Sequence, residues 1–236
     1  MNELRVIPVR GVGPVAGGDD LVTLLLDALD AQGLPLEHHD LVIVTSKVVS
    51  KSEGRVVDFD GTEGHKVALI EREAKRVLRR RGPLRITETE HGFINANAGI
   101  DLSNTVEGTA VLLPKEPDRS ARRLRAEIRR RRGVDVAVVV TDTFGRVWRQ
   151  GVTDVALGSA GIIPVLDLRG SADANGRLLD ATEVAIVDEI AGAANLVLGK
   201  AMGTPFAVLR GLDESYFGEG SVAKDVIRSA NEDLFR

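Results

Sequence analysis

The chain has 236 residues, of which 43% are hydrophobic and 28% charged. This is an ordinary globular composition, long enough for one large domain or two closely packed lobes. The absence of cysteine excludes disulfides, thiolate metal sites and cysteine nucleophiles. A net charge of −4 and only 3% aromatic residues argue against a nucleic-acid partner. There is no signal-peptide pattern and no apolar run of roughly 18–20 residues, so we expect a cytoplasmic protein without a membrane partner.

Short apolar runs alternate with amphipathic stretches along the chain. Apolar and β-branched runs predict strands at 5–9, 41–45, 54–59, 111–113, 134–140 and 206–209. Helical spacing predicts helices from Asp19 or Asp20 to about Gln32, and at 71–81, 118–132 and 182–194. Gly33 is placed to end the first helix. The alternation indicates an α+β fold, with mixed sheets and flanking helices.

The loop after the first strand contains a weak nucleotide-binding pattern. Residues 11–16 read GVGPVA, which matches the dinucleotide fingerprint G-x-G-x-x-A. However, Pro14 removes an amide, and Gly17 and Gly18 delay the helix until Asp19. Acidic residues at the helix start also oppose a phosphate. The pattern therefore disfavours a Rossmann turn and leaves two alternatives, a flexible connection or a loop that contacts a nucleotide in another geometry.

Three further segments carry polar groups suited to phosphate or metal. Residues 45–54 follow a buried strand and include Ser46, Lys47 and Lys51, and lysine binds phosphate as a point charge. Residues 88–104 supply the hard oxygens of Asp101 and Asn104, which suit Mg²⁺ or Mn²⁺. The alternatives are a solvated lysine loop and an Asp/Asn turn that bonds its own backbone.

The last of these segments, at 141–146, reads TDTFGR and comes directly after the strand predicted to be buried on both faces. Asp142 is a candidate metal ligand, Thr143 can add a hydroxyl ligand, and Arg146 can contact phosphate. Alternatively, Asp142 caps the next turn. Together, two aspartate-bearing loops make a shared metal site at Asp101 and Asp142 plausible.

The remaining charged residues give a weaker alternative. Arginines crowd the helix predicted at 118–132 and could bind RNA, although a solvated basic face explains them as well. The four histidines lack metal-binding spacing. Two rival functions thus remain open on pattern alone: an NAD(P)-dependent oxidoreductase that uses the Gly11 loop, and an RNA-binding domain that uses the arginine helix.

Several segments, in order over nearly the whole chain, resemble the coenzyme F420-0:L-glutamate ligase family. The main ones are VTSKVVSKSEG at 44–54, NAGIDLSN at 97–104 and TDTFGR at 141–146. Further matches are Trp148-Arg149, GVTD at 151–154, TEVA at 182–185, DEIA at 188–191 and the segment 199–211. Each motif alone is unspecific, but their combination is specific.

The resemblance implies an enzyme that uses GTP, a divalent metal and L-glutamate to extend the tail of a deazaflavin coenzyme, F420-0, with release of GDP and phosphate. It also implies an unusual α+β fold, neither P-loop nor Rossmann, and a homodimer. Two Mg²⁺ or Mn²⁺ ions are expected, with a monovalent cation such as K⁺ as a further possibility. Because some relatives carry a second, flavin-reductase-like domain, we expect residues 1–236 to correspond to the ligase part alone.

Site residues follow from the resemblance position by position. It implies that Asp101 and Asp142 bind metal and that Thr143 binds a second metal. The implied nucleotide contacts are Val12, Gly13, Pro14, Val15, Thr45, Ser46, Lys51, Asn104, Lys200, Ala201, Met202, Gly203, Thr204, Pro205, Phe206 and Ala207. In the first loop, this chain has Val12-Gly13-Pro14 where many relatives have Leu-Pro-Glu, so its side chains there depart from the family pattern.

The chemistry of such a ligase requires an activated carboxylate. A carboxylate is a poor electrophile, so we predict that the γ-phosphoryl group of GTP passes to the terminal carboxylate of the coenzyme. The glutamate amine then attacks the acyl phosphate. Asp101 and Asp142 would act through the metals. Lys47 and Arg146 are predicted to supply further positive charge to this catalytic set.

Overall fold

The computed structural model describes residues 3–103, 105–199 and 203–234. Within these residues the strands are β1 (Arg5–Val9), β2 (Leu41–Thr45), β3 (Val56–Asp58), β4 (Ala74–Arg81), β5 (Leu84–Thr89), β6 (Ile94–Ala96), β7 (Thr109–Val111), β8 (Ala137–Gly145), β9 (Val152–Ala160), β10 (Leu166–Asp167), β11 (Glu183–Val184) and β12 (Phe206–Arg210). The helices are α1 (Leu21–Gln32), α2 (Ser46–Ser52), α3 (Glu63–Glu73), α4 (Pro117–Arg132), α5 (Ile186–Leu198) and α6 (Val222–Asp225).

A five-stranded mixed sheet forms the centre of the molecule, in the order β1-β12-β2-β8-β9. Only β2 and β8 run parallel within it, and their register pairs Leu41 with Ala137 and Thr45 with Thr141. β2 and the first five residues of β8 are mostly apolar and buried, as expected for strands covered on both faces. The parallel pair brings the carboxyl ends of β2 and β8 side by side, which is where ligands often bind in open sheets.

Helices cover the central sheet on both faces. Alternate residues such as Val42, Val138 and Val208 pack against α1, α2 and α4 on one face. Their neighbours, including Ile43 and Val139, pack against α5 on the other. Because successive side chains in a strand point to opposite faces, one short apolar run contributes to both cores. The core is aliphatic, in keeping with the low aromatic content.

The ends of α1 follow the sequence signals. Asp20 caps the helix, and its carboxylate accepts hydrogen bonds from the Val22 and Thr23 amides. Gly33 ends the helix in the left-handed conformation with φ 65°. The helix therefore begins beyond Gly17 and Gly18, so the loop at 11–18 is not a Rossmann turn.

A second sheet, with the order β4-β5-β6, contains the clearest error of the sequence analysis. The helix predicted at 71–81 is wrong, because α3 ends at Glu73 and β4 begins at Ala74. Arginine, lysine and leucine favour a helix locally, but Gly82 and Pro83 turn the chain so that β4 pairs antiparallel with β5. Tertiary pairing overrides the local propensity here.

Other element boundaries differ from prediction in ways that affect the site. β8 begins at Ala137 and continues to Gly145, because it pairs with β9 as far as Val152. Asp142 therefore lies in a strand and not in the predicted loop. The helix predicted from 182 begins at Ile186, and Glu183 and Val184 instead form β11. The predicted mixed α and β fold class is confirmed, and the arrangement is neither Rossmann-like nor a closed barrel.

Candidate active site

A cavity of about 440 Å³ lies at the carboxyl ends of β2 and β8. Segments that are far apart in the sequence converge on it. Its polar and loop lining includes Gly13, Pro14, Val15, Thr45, Ser46, Lys47, Lys51, Asn95, Asp101, Ser103, Thr141, Asp142, Thr143, Asp154, Asn195, Gly203, Thr204 and Pro205. The volume falls within the range of about 300–1,000 Å³ that is usual for small-molecule sites.

One wall comes from α2, which begins directly where β2 ends. The Ser46 side chain is buried at the start of this helix. Lys47 and Lys51 lie one turn apart, so both side chains leave the same face of the helix and line the cavity. Lys51 makes no ion pair with any residue that the structure describes. Its ammonium group is therefore available to an anionic ligand.

The opposite wall carries Asp101 on a left-handed turn. Asn97, Ala98 and Gly99 have φ values of 53°, 55° and 69°. Glycine is required at 99, since a Cβ there would lie 2.7 Å from the Leu113 side chain. The Ala98 amide donates to Thr87 Oγ1 at 2.9 Å and anchors the turn. This geometry delivers Asp101 to the cavity.

Asp101 and Lys47 form an ion pair across the cavity, with 2.7 Å between Nζ and Oδ2. The Ser103 amide and hydroxyl each donate to Asp101 Oδ1 at 2.7 Å. Burial acts to raise the pKa of Asp101, but the hydrogen bonds from Lys47 and Ser103 outweigh it and hold that pKa below its ordinary value. Asp101 is thus a carboxylate at neutral pH.

Asp142 lies on β8 in a different electrostatic environment. Burial raises its pKa to about 7, and hydrogen bonds from the Thr143 amide and the Ser46 hydroxyl offset this only in part. The negative charges of Asp154 and Asp101 also contribute to this rise in the pKa to about 7. No lysine, arginine or histidine among the described residues forms an ion pair with Asp142. The site therefore holds more negative charge on this side than its described cations neutralise.

Thr143 and Asp154 face each other across β8 and β9. They are register partners in the antiparallel pair, and Thr143 Oγ1 donates to Asp154 Oδ1 at 2.6 Å. Asp154 is buried although it is a carboxylate, and both residues line the cavity. Neighbouring side chains on one face of a sheet lie close together, so this pair is fixed by strand register.

The donor set of the cavity suits a divalent cation bound together with a phosphate. Among the described residues, no three His, Cys, Asp or Glu side chains gather as a metal-binding group. Mg²⁺, however, is usually held by one or two carboxylates plus substrate phosphates and water. Asp101 and Asp142, with the Thr143 hydroxyl, match that smaller set. A cation there would also relieve the charge crowding that raises the pKa of Asp142.

The other predicted residues divide into three groups. Gly13, Pro14, Val15, Thr45, Gly203, Thr204 and Pro205 line the cavity. Val12 packs against the core, Phe206 and Ala207 are buried in β12, and Arg146 lies exposed in the turn after β8, where it donates to Gln150 O at 2.8 Å. The positions Asn104, Lys200, Ala201 and Met202 lie outside the described residues. The ligand roles of all these residues stay predictions.

Sequence reasoning gave no role to several polar residues of the lining, among them Asn95, Asp154 and Asn195. Asn95 lies on β6, and its Nδ2 is buried without a partner among the described residues. Asp154 belonged to a matched segment, but its place opposite Thr143 depends on the bulged register of β8 with β9. Asn195 comes from the last turn of α5, whose contact with the cavity has no local signal.

Most of the arginines of α4 are held in ion pairs. Arg125 pairs with Asp135, Arg131 with Asp20 and Glu127, and Arg132 with Asp30.

No helix among the described residues is long and apolar enough to cross a membrane. A polar cavity with paired and unpaired charges at strand ends, in contrast, defines an enzyme that acts on a small, charged substrate.

Comparison with known proteins agrees with this class. A family model described as F420-0:gamma-glutamyl ligase matches residues 11–211. A protein named coenzyme F420:L-glutamate ligase from Methanopyrus kandleri is 40% identical, over 99% of this chain and 98% of its own. Proteins of the same name from Methanocaldococcus jannaschii and Methanothermobacter thermautotrophicus are 38% and 34% identical, each over at least 99% of both chains.

The chain therefore belongs to the F420-0:gamma-glutamyl ligase family, and it is an enzyme that forms carbon–nitrogen bonds. This confirms the resemblance on which the sequence analysis relied. It also overturns the two rival functions, the oxidoreductase and the RNA-binding domain, which the loop geometry and the paired arginines had already disfavoured.

Proposed function

We propose that this enzyme joins L-glutamate to coenzyme F420-0 in coenzyme F420 biosynthesis, with GTP as the source of activation. The observation that carries the proposal is the charge arrangement of one cavity. Lys51, which has no ion-pair partner among the described residues, shares it with two carboxylates, Asp101 and Asp142. A phosphate bound together with a cation needs both kinds of group, an ammonium group to contact the phosphate and carboxylates to bind the cation. The names of the full-length relatives supply the coenzyme and the amino acid.

Activation proceeds by phosphoryl transfer. An oxygen of the terminal carboxylate of F420-0 attacks the γ-phosphorus of GTP, and the bond from this phosphorus to the β–γ bridging oxygen breaks. GDP leaves with that oxygen, and the coenzyme carries an acyl phosphate. The glutamate amine then attacks the acyl carbon, inorganic phosphate leaves, and the amine loses a proton. Phosphate is a much better leaving group than oxide. The amine therefore attacks the acyl phosphate and does not have to react with the inert carboxylate.

Residues of this chain would hold the reactants in place. Lys51 binds the nucleotide phosphates, and the Thr45 hydroxyl and the Ser46 amide extend that contact. Pro14 and Val15 on one side and Thr204 and Pro205 on the other flank the nucleotide. Lys47 is paired with Asp101 and Ser103 O, at 2.7 and 2.8 Å, so it would hold Asp101 in its rotamer and supply positive charge nearby. Arg146, at the hairpin turn, would contact the ligand only after its turn rearranges.

Divalent cations complete the proposal. Asp101 and Asp142 would bind one Mg²⁺ or Mn²⁺ ion, and Thr143 a second. When bound, such ions neutralise charge on the β- and γ-phosphates and so favour the transfer. A monovalent ion such as K⁺, a cytoplasmic location and a homodimer are further proposals. A monomer measured by light scattering at micromolar concentration would contradict the last of these.

The direct test incubates the purified chain with F420-0, L-glutamate, GTP and Mn²⁺. We expect a product heavier by one glutamyl residue, by mass spectrometry, and one GDP and one phosphate for each bond formed. GDP should not accumulate when the acceptor is omitted. Release of GMP and pyrophosphate would contradict the acyl phosphate, and absence of any glutamylated product would contradict the proposed function as a whole.

A further inference from the structure

Asp154 is a buried carboxylate that the proposed function does not yet use. It is only 5% exposed, it lines the cavity, and its Oδ1 accepts the proton of the Thr143 hydroxyl at 2.6 Å. Burial of a charged group is costly unless its partners compensate. On the strand next to Asp142, this carboxylate and its Thr143 contact lie beside the candidate cation site.

The hydrogen bond has a directional consequence for Thr143. A hydroxyl has one proton and two lone pairs. With its proton directed to Asp154, Thr143 Oγ1 turns its lone pairs away from that carboxylate, so the oxygen is left to accept. A charged acceptor also increases the electron density on the hydroxyl oxygen, as outer partners do for other metal-binding side chains.

Asp154 acts through Thr143 and not as a third carboxylate ligand. Among the described residues, Asp101, Asp142 and Asp154 do not form a recognised three-carboxylate metal group. Strand register fixes the contact between Asp154 and Thr143. The charge of Asp154 still adds to the negative potential around Asp142.

We propose that Asp154 is a positioning residue, which orients the Thr143 hydroxyl as an acceptor for a divalent cation and strengthens cation binding by its charge. The proposal rests on the cation site of the proposed function. It concerns cation affinity, which can be measured without the coenzyme, the amino acid or turnover.

The test titrates Mn²⁺ into the purified full chain, with and without GDP, and reads free Mn²⁺ by electron paramagnetic resonance. Asp154→Ala should weaken Mn²⁺ binding roughly 10- to 100-fold, the usual effect of removing an outer partner of a ligand. Asp154→Asn keeps an acceptor oxygen for Thr143 and should restore part of that loss. Mn²⁺ binding that is unchanged in Asp154→Ala, or undetectable in the parent under both conditions, would overturn the proposal.

A double-mutant cycle decides whether Asp154 acts through Thr143. In a Thr143→Val background, which lacks the hydroxyl, Asp154→Ala should weaken Mn²⁺ binding by only the part that is due to charge, the same factor as Asp154→Asn costs in the parent. Fully additive losses from Thr143→Val and Asp154→Ala would overturn the orienting role, because independent sites add and coupled ones do not.

Asp188 provides a matched control. Its carboxylate is also partly buried against β9 and accepts from the Ala156 amide at 2.9 Å, but it does not line the cavity. Asp188→Asn should change Mn²⁺ affinity by less than about twofold, and melting of each variant shows whether it folds. Mn²⁺ binding that depends on Asp154 in a protein that makes no glutamylated product would refute the proposed function alone. An active parent whose Asp154→Ala variant binds Mn²⁺ normally would refute this inference alone.

Discussion

Two aspartates at opposite ends of the same parallel strand pair, Asp40 and Asp142, differ in how their charge is compensated. Asp40 precedes β2 and is fully buried. Arg210 donates to both of its oxygens, from Nε and from a terminal nitrogen, each at 2.7 Å. The Glu37 amide adds a third hydrogen bond at 2.8 Å. Asp142, near the carboxyl end of β8, has no ion-pair partner among the described residues and lies near two other carboxylates.

Burial alone does not mark a functional carboxylate. Asp40 is compensated inside the protein, in a bidentate geometry that suits arginine, so its charge serves the fold. Asp142 is left with negative neighbours, so its charge favours a ligand that is not part of the chain. The partners of each carboxylate, more than its exposure, therefore distinguish the structural end of the sheet from the functional end.

The largest expected effect is at the structural end. Arg210→Met removes the partner of Asp40 and leaves a buried carboxylate unpaired, so the free energy of unfolding should fall by about 3–5 kcal/mol. Urea denaturation at pH 7 measures this. The double variant Arg210→Met/Asp40→Asn removes the charge as well and should recover much of the loss. A single variant that loses less than about 1 kcal/mol would mean that Asp40 is not a structural charge.

At the functional end the expected loss is in activity. Asp142→Asn keeps the shape and removes the charge, so we expect glutamylation to fall by roughly a hundred- to a thousandfold, as when one preorganised electrostatic group is removed. Burial raises the pKa of Asp142 to about 7, so its charge opposes folding at neutral pH, and melting should not shift downward. Near-normal turnover in this variant would contradict the assignment of Asp142 as a cation ligand.

Lys51 should show a smaller effect, confined to binding. Lys51→Met keeps the apolar stem and removes a charge worth about 1.5–3 kcal/mol in a charge-assisted hydrogen bond. GTP affinity, measured by calorimetry, should weaken roughly ten- to a hundredfold without a change in melting. Lys224→Met, at an exposed position on α6, is the matched control. Equal GTP binding by the Lys51 variant and the parent would remove the phosphate role from α2.

The smallest expected effect is on stability, at the partly exposed carboxylate of Asp20. Asp20 is 48% exposed, caps α1 and pairs with Arg131. Burial acts to raise its pKa, but the hydrogen bonds from Arg131 and Thr23 outweigh it and lower the pKa to about 2. Asp20→Ala should cost about 1 kcal/mol at pH 7, mainly through the lost cap.

The pH dependence of that cost follows from the direction of the shift. Because the pKa of Asp20 is lower in the folded than in the unfolded state, its charge stabilises the fold above pH 4 or so, and this contribution disappears as the pH falls towards 2. The difference in unfolding free energy between parent and variant should narrow over that range. A constant difference from pH 7 to pH 2.5 would show that the Asp20 charge contributes nothing.

Sequence patterns predicted the site best where a buried strand ends. The apolar run of β2 followed by Ser46, Lys47 and Lys51 indicates a ligand at a strand end, and these residues line the cavity. Asp142 was expected in a loop because Thr141 and Asp142 are polar. It lies in a strand because β9 pairs with β8 beyond the apolar run, and no local pattern reveals such pairing.

Patterns failed where a tertiary contact determines the outcome. The arginine-rich stretch of β4 has helical propensity, and only its hairpin with β5 makes it a strand. Asp154 resembles an ordinary strand residue until its register partner, Thr143, is known. The pairing of Asp40 with Arg210 spans 170 positions of the sequence, and nothing near either residue indicates it.

Phosphoryl transfer to the carboxylate of the coenzyme, as proposed for this cavity, can be followed with an oxygen isotope. F420-0 labelled with ¹⁸O in both oxygens of its terminal carboxylate is incubated with L-glutamate, GTP, Mn²⁺ and the enzyme. An acyl phosphate leaves one labelled oxygen in the amide and transfers the other to inorganic phosphate. We predict one ¹⁸O atom in each phosphate released, by mass spectrometry. Unlabelled phosphate, or label recovered in GMP, would contradict the account.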